Sequence, residues 1–424
     1  MKIRIRKHFP VTDLLFTVAL ICLVSYALLE NVTISIGAFS TYKLPILYLG
    51  AVCILSQINL QIRNFTKKKY FFVWMWVLAL CAVLLVSLQA NRDPVVGVTP
   101  IRTTIRLVLY LLELFALMIW CAEEGRGRYV IKFIYYYVLV LAIATDFLLI
   151  TKTIIFKDGN HESYLVGTKF SVSYLHMNLL AFWALKRQDD HTQKHSRINV
   201  VLAIALVGIT VILNCVTGVL GALAMLFFLR RSNSKYRVKF LRMSSPSVLI
   251  LMLLGSVIFP VIAGQVISIP AVSRFITSVL GRSNTLTGRL NIFEIFGDKM
   301  GNFWFWGCGV GNEYATSTWL FGYDNAQNAI FHWLLQAGVF ATGLLCGIIV
   351  LVFRQFSQST KQKELFPLVV LIYVYIIMGT VEITFNMSFI MWIALAFMLV
   401  NEKKAPKGEV DSKAASPEAG ILEE

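Results

Sequence analysis

Charge is what this sequence has little of. Only 15% of its 424 residues are Asp, Glu, Lys or Arg, while 57% are apolar, far from the balance of a soluble domain. Acidic residues are the scarcer kind, 23 against 39 basic. The seven cysteines (22, 53, 81, 121, 215, 308 and 346) show no CxxC and no His-Cys spacing, which excludes a disulfide framework and a zinc site. Internal repeats are lacking too, and a transporter built from repeated halves would show them.

What is present is a series of apolar runs, each long enough to cross about 30 Å of hydrocarbon. Twelve are drawn, over 9–29, 44–60, 70–89, 104–121, 129–151, 166–185, 198–214, 216–230, 246–264, 328–353, 366–384 and 387–400. The fold class expected is therefore all-α, a polytopic transmembrane bundle with both termini on the cytoplasmic side. Most of the 39 basic residues then fall on inner segments. That bias explains the net charge of +16 without nucleic acid as a partner. The basic start and the run from Phe9 to Leu29 read as an uncleaved signal anchor, because the run is long and no A-x-A site follows.

Four regions follow: spans one to nine (1–264), a long outer loop (265–327), spans ten to twelve (328–400), and a charged tail (401–424) that reads as a disordered cytoplasmic segment. The loop is rich in aromatics, so it is expected to be structured. Pro270 to Leu280 reads as a short helix opened by proline. Gly288 to Met300 places Ile292, Phe293, Ile295, Phe296 and Met300 at helical spacing, and "NFWFWG" follows. Together they predict an amphipathic helix and an aromatic anchor at the outer membrane surface. "GCGVGNE", Gly307 to Glu313, lacks the strand-to-helix context of a dinucleotide site and reads as a tight turn.

Polar side chains gather at the outer ends of several spans, where each is a site hypothesis. Lys169, Ser173 and His176 share one helix face, and Asn328, His332 and Gln336 share another below Gln327. Packing or interhelical bonding accounts for a lone membrane histidine; two stripes opening on one side point to a wet cavity beneath the loop. Arg102, Arg106, Arg274, Arg282 and Arg289 all lie outside on this topology, against the usual bias. Guanidinium binds phosphate oxygens bidentately at any physiological pH, so a lipid-borne phosphate is the candidate partner.

"TGRLNIFEIF", "FWGCGVGNE" and "QNAIFHWLLQAGVFATGLL" in this order resemble the signature of the O-antigen ligase and polymerase family. "GTKFSVSYLHMNLLA" is similar to that family's sixth-helix region. The resemblance implies a GT-C-like membrane glycosyltransferase that needs no metal or other cofactor. Its partners would be an undecaprenyl-pyrophosphate-linked oligosaccharide, the bilayer, a chain-length regulator and a flippase, at the outer face of a bacterial plasma membrane. Arg289 of the TGR would hold the pyrophosphate, assisted by Arg102, Arg106, Arg274 or Arg282. Ligases of the family carry His where this chain has Gln327, which is no general base near neutral pH. Polymerase is therefore favoured over ligase, with a lipid-linked oligosaccharide flippase as the third reading. The base would come from Glu313, Asp324, His161 or His332. Lys169, His176, Asn312, Gln327, Asn328 and His332 would line the sugar site, where Trp319 or Trp333 could stack.

Overall fold

The structure, a computed structural model, describes residues 11–29, 39–151, 156–158, 161–187, 196–232, 244–274, 277–278 and 289–403. Among them the chain is helical almost throughout. A backbone in lipid must satisfy its own polar groups, and a helix does so within one segment. The first half comprises α1 (Val11–Leu28), α2 (Phe39–Leu55), α3 (Ile58–Phe65), α4 (Lys68–Ala90), α5 (Ile101–Glu124) and α6 (Gly127–Ile150). A two-stranded hairpin, β1 (Phe156–Asp158) with β2 (His161–Ser163), is a small departure from the all-α expectation. Next come α7 (Lys169–Lys186), α8 (Ser196–Ile212), α9 (Val216–Ser232) and α10 (Pro246–Ile267). The long loop holds α11 (Pro270–Arg274), α12 (Arg289–Met300), α13 (Phe303–Trp306) and α14 (Glu313–Phe321). The last three helices are α15 (Ala329–Gln358), α16 (Phe366–Met378) and α17 (Met387–Asn401).

Each of the twelve expected runs overlaps a helix, but their lengths differ, and the eleventh, 366–384, passes the end of α16 at Met378, so that 379–384 lie in the turn before α17. Six helices (α1, α4, α5, α6, α10 and α15) are long and apolar enough to cross a bilayer, and α2 with α3 makes a seventh if the bent pair is one span. This is a multi-pass membrane protein. Shorter apolar helices of 10–17 residues lie within α8, α9, α16 and α17. α7 has 18 residues, but its lysines, His176 and Asn178 make it too polar to join the six. The straight span expected over 44–60 is instead broken, with α3 bent 73° from the preceding helix. Asn59, Gln61, Arg63 and Asn64 of α3 could not continue into hydrocarbon without cost, and Gln61 donates to the Ala116 carbonyl at 3.1 Å.

α16 and α17 form the centre, buried along almost their whole length. One end of the bundle is marked by Glu123, which Lys67, Lys69 and Lys403 approach at 2.5, 3.0 and 2.6 Å. From that end α16 rises through 13 residues, about 20 Å at 1.5 Å per residue. The turn that joins it to α17, 379–386, sits below the start of α5, whose Tyr110, more than two turns into that helix, donates its hydroxyl to the Met387 carbonyl at 2.8 Å.

α15 is not one continuous helix. Gly338 leaves helical geometry at φ 77°, ψ 179°, which removes the donor that the Leu335 carbonyl would have had from its own helix. The Cys308 amide takes that place at 2.8 Å. α13 thus docks into the break, and Ser87 of α4 donates to the Trp306 carbonyl at 2.5 Å. The approach is backbone to backbone: a Cβ at Gly338 would overlap the Phe305 carbonyl, and one at Gly307 would overlap Gln336 and Ala337. α12 also differs from expectation. Its apolar face is not spread on a membrane surface; Phe296 stacks on Phe331 at 4.1 Å, and Ile292, Phe293 and Met300 are buried with it.

Candidate functional site

The turn 379–386 is held from several sides. The Ala329 amide donates to the Gly379 carbonyl at 2.8 Å, Trp333 Nε1 to the Phe385 carbonyl at 2.7 Å, and Thr384 Oγ1 to the Tyr375 carbonyl at 2.6 Å. Asn328 contributes most. Its Oδ1 caps α15 by accepting from the amides of Ile330 and Phe331 at 2.9 and 3.0 Å, as N-cap asparagines do. Its Nδ2 donates to the carbonyls of Thr380 and Ser256 at 3.1 and 3.0 Å. Pro260, inside α10, has no N–H with which to serve Ser256 four residues back. Asn328 supplies the missing donor.

Onto this turn comes Arg289, the first residue of α12. Its Nε donates to the Val381 carbonyl at 2.8 Å, and a terminal nitrogen donates to Glu382 Oε1. The Thr217 hydroxyl of α9 donates to the same carboxylate oxygen at 3.4 Å. Both charged side chains are largely covered, 16% exposed for Arg289 and 10% for Glu382. Lys169, at the start of α7, lies within electrostatic reach of Glu382. So does Tyr174, which also feels Arg289. The Tyr174 hydroxyl is buried with no hydrogen-bond partner, a costly state. Among the described residues, Glu382 is thus paired with Arg289 and has a second cation, Lys169, within electrostatic reach, two positive charges to one negative. Glu382 lies outside the helices; burial pushes its carboxyl up to about 7, against the downward pull of Arg289 and the Thr217 hydrogen bond.

A second cluster is built by the glycine turn. Gly307, Gly309 and Gly311 all have positive φ, a conformation that costs glycine little. The Gly311 amide donates to Glu313 Oε2 at 2.6 Å. The other oxygen of Glu313 lies 4.0 Å from His332 Nε2, with the Tyr314 ring against the imidazole at 5.5 Å. His332 Nδ1 is buried without a partner. Asn312 faces away from this pair. Its Oδ1 accepts from the Val98 amide at 3.1 Å, and its Nδ2 donates to the Val98 carbonyl at 2.9 Å.

The structure thus groups Arg289 with Lys169, and Glu313 with His332. It sends other expected site residues elsewhere. His176 does not share the setting of Lys169, its partner on the polar stripe, but its Nε2 bonds Asp146 Oδ2 of α6 at 3.3 Å beside an apolar cavity lined by Leu139, Ile143 and Leu202. Arg102 and Arg106 stand at the start of α5, where Arg106 Nε donates to the Arg102 carbonyl at 3.2 Å. Arg274 is exposed at the end of α11, and Asp324 is exposed before α15. Gln327 adopts φ 51° and its amide donates to Asn325 Oδ1 at 2.9 Å. Of the aromatics, Trp319 is 56% exposed, whereas Trp333 is 2% exposed and committed to Phe385. Arg282, the side chain of His161, and residues 404–424 of the tail lie outside the described residues.

Glu382 is the member that sequence reasoning missed. Its one sequence signal is that "GTVEITFN" puts a lone acid near the end of the eleventh apolar run, 366–384, where an unpaired carboxylate would be costly. Compared with protein-family models, curated proteins and solved structures, the chain matches none.

Proposed function

We propose that this protein is a polymerase that joins undecaprenyl-pyrophosphate-linked oligosaccharide repeat units into a surface polysaccharide. In this reading the bundle is GT-C-like, the twelve apolar helices are twelve spans, and the Glu123 end faces the cytoplasm. Turn 379–386 and the long loop then face the outside of a bacterial plasma membrane, where such donors are presented. The observation that carries the reading is the excess positive charge of Arg289 and Lys169 over Glu382, set beneath the loop among hydroxyl-bearing side chains.

Arg289, with Lys169 beside it, would hold the pyrophosphate. An acceptor hydroxyl attacks C1 of the donor sugar. As its C–O bond forms, the bond from C1 to the pyrophosphate oxygen breaks and the electron pair leaves with the lipid diphosphate. Fixed cations aimed at that developing charge lower the barrier. The hydroxyl proton passes to Glu313, which His332 faces from α15. Arg102, Arg106 and Arg274 would attract the anionic donor to the outer rim. Trp319, exposed near the loop's end, could stack on a sugar ring.

Replacing Arg289 with Ala in cells that depend on this protein tests the proposal. The variant should reach the membrane in normal amount, stop long-chain synthesis and leave single repeat units on their carrier. Arg289→Lys, which keeps the charge and loses the fork, should give short or sparse chains. Normal long chains in both variants would refute the reading. Long polymer stranded on the lipid carrier would indicate a ligase instead.

A further inference from the structure

Arg289 meets a carboxylate, not an open anion site. Its guanidinium is engaged by Val381 and Glu382, so a diphosphate cannot take the inner edge of the fork while Glu382 holds it. Glu382 in turn cannot withdraw into water, because it is 10% exposed and wedged against Thr217. A buried carboxylate that loses its cation and gains an anion nearby is driven to the neutral form.

We propose that Glu382 is an internal counter-ion that the donor's diphosphate displaces from Arg289, and that the displaced carboxylate takes up a proton from solvent as the diphosphate binds. The charge balance then works out. Before binding, the cluster holds two cations and one carboxylate; afterwards the diphosphate replaces that carboxylate against the same two cations, and protonated Glu382 adds no repulsion. Protonated Glu382 also gains a donor, which the unpaired Tyr174 oxygen close by can accept. The other groups facing Glu382 do not compete for the proton. Arg289 and Lys169 are cationic side chains, and burial pushes the Cys215 thiol up. Release of the product diphosphate reverses the exchange and returns the proton.

The sign of the pH effect follows from burial, which holds the Glu382 carboxyl near 7 in the free protein, and binding raises it further. Below that value the group is already neutral and binding takes up little. Above it, each binding event draws a proton, so affinity falls as pH rises.

This inference rests on the reading of Arg289 as a diphosphate ligand, so its test uses inorganic pyrophosphate and the full-length protein in lipid nanodiscs. Binding is followed by titration calorimetry at pH 8 in buffers of different ionisation enthalpy, which counts protons. Wild type should take up about one proton more per pyrophosphate than Glu382→Gln. E382Q should bind roughly tenfold tighter, because a competing internal partner is removed. Thr217→Val, a milder change, should tighten binding by about threefold and keep the proton uptake. Matching thermal melts confirm that each variant is folded. Equal proton counts in wild type and E382Q overturn the exchange, as does unchanged or weaker binding in E382Q, or no binding in wild type. Failure of the polymerase reading shows elsewhere, as normal long chains in Arg289→Ala cells, and leaves the proton count free to judge the exchange.

Discussion

Removing the Asn328 side chain tests whether this residue is a clasp or a sugar ligand. Asn328 is fully buried, and four hydrogen bonds converge on it. Asn328→Ala loses the cap of α15, about 1 kcal/mol. It also strips a donor from the carbonyls of Ser256 and Thr380, roughly 1 kcal/mol each, for a total of about 3 kcal/mol. Part of this can be restored from across the bundle. Pro260→Ala gives α10 the amide that proline lacks, and that amide can pair with the Ser256 carbonyl four residues earlier. The double variant should therefore recover about 1 kcal/mol relative to the sum of the single changes. Thermal melts in detergent, run as a four-member cycle, measure the coupling. Strict additivity, or an Asn328→Ala protein as stable as wild type but inactive, would refute the clasp and favour direct contact with substrate.

Gly338→Ala forces a Cβ onto the Phe305 carbonyl at a φ of 77°; it should cost about 3 kcal/mol and expose α13 to protease, and an unchanged digestion pattern would count against the docked break. Glu123→Gln weakens a cluster in which a 2% exposed carboxylate meets lysines 31, 36 and 54% exposed, so the loss should be about 1 kcal/mol and should shrink at high salt without vanishing; a salt-independent loss would point to packing. Glu313→Gln should lower polymer synthesis by roughly a hundredfold with no change in melting temperature if Glu313 is the base, and full synthesis would remove it from that role.

How much of this was legible depended on whether a residue's partner was near in sequence. Apolar runs fix helices because periodicity and length are local properties, so each drawn span overlaps a helix, although 366–384 runs past the end of α16 at Met378. The bend between α2 and α3 was missed because 44–60 was read as one apolar run, although the polar residues that turn α3 aside lie at its end. Arg289 was readable as a helix start bearing a charge. Its partner Glu382 was not, since nothing around it in the sequence predicts which outer cation will reach it. The stripe of Lys169, Ser173 and His176 was a correct face, but a face meets more than one neighbour. Lys169 reaches Glu382, while His176 bonds to α6. Asn312 and Asn328 look like sugar ligands in the sequence, because a polar residue beside an apolar helix gives no sign that a distant carbonyl needs a donor. Ser256 needs one only because Pro260 lies four residues on. Phe296 was placed on an apolar face whose cover turned out to be Phe331, not lipid.

The joint at Gly338 limits how this protein could be recombined with others. One segment supplies the carbonyl, the other the amide, and neither is complete without its mate. Grafting a foreign exterior loop between α10 and α15 would leave Leu335 bare, whereas exchanging everything from α12 to the end of α15 would carry the seam along intact. Drift in the loop and in the helix that receives it should accordingly be inherited together.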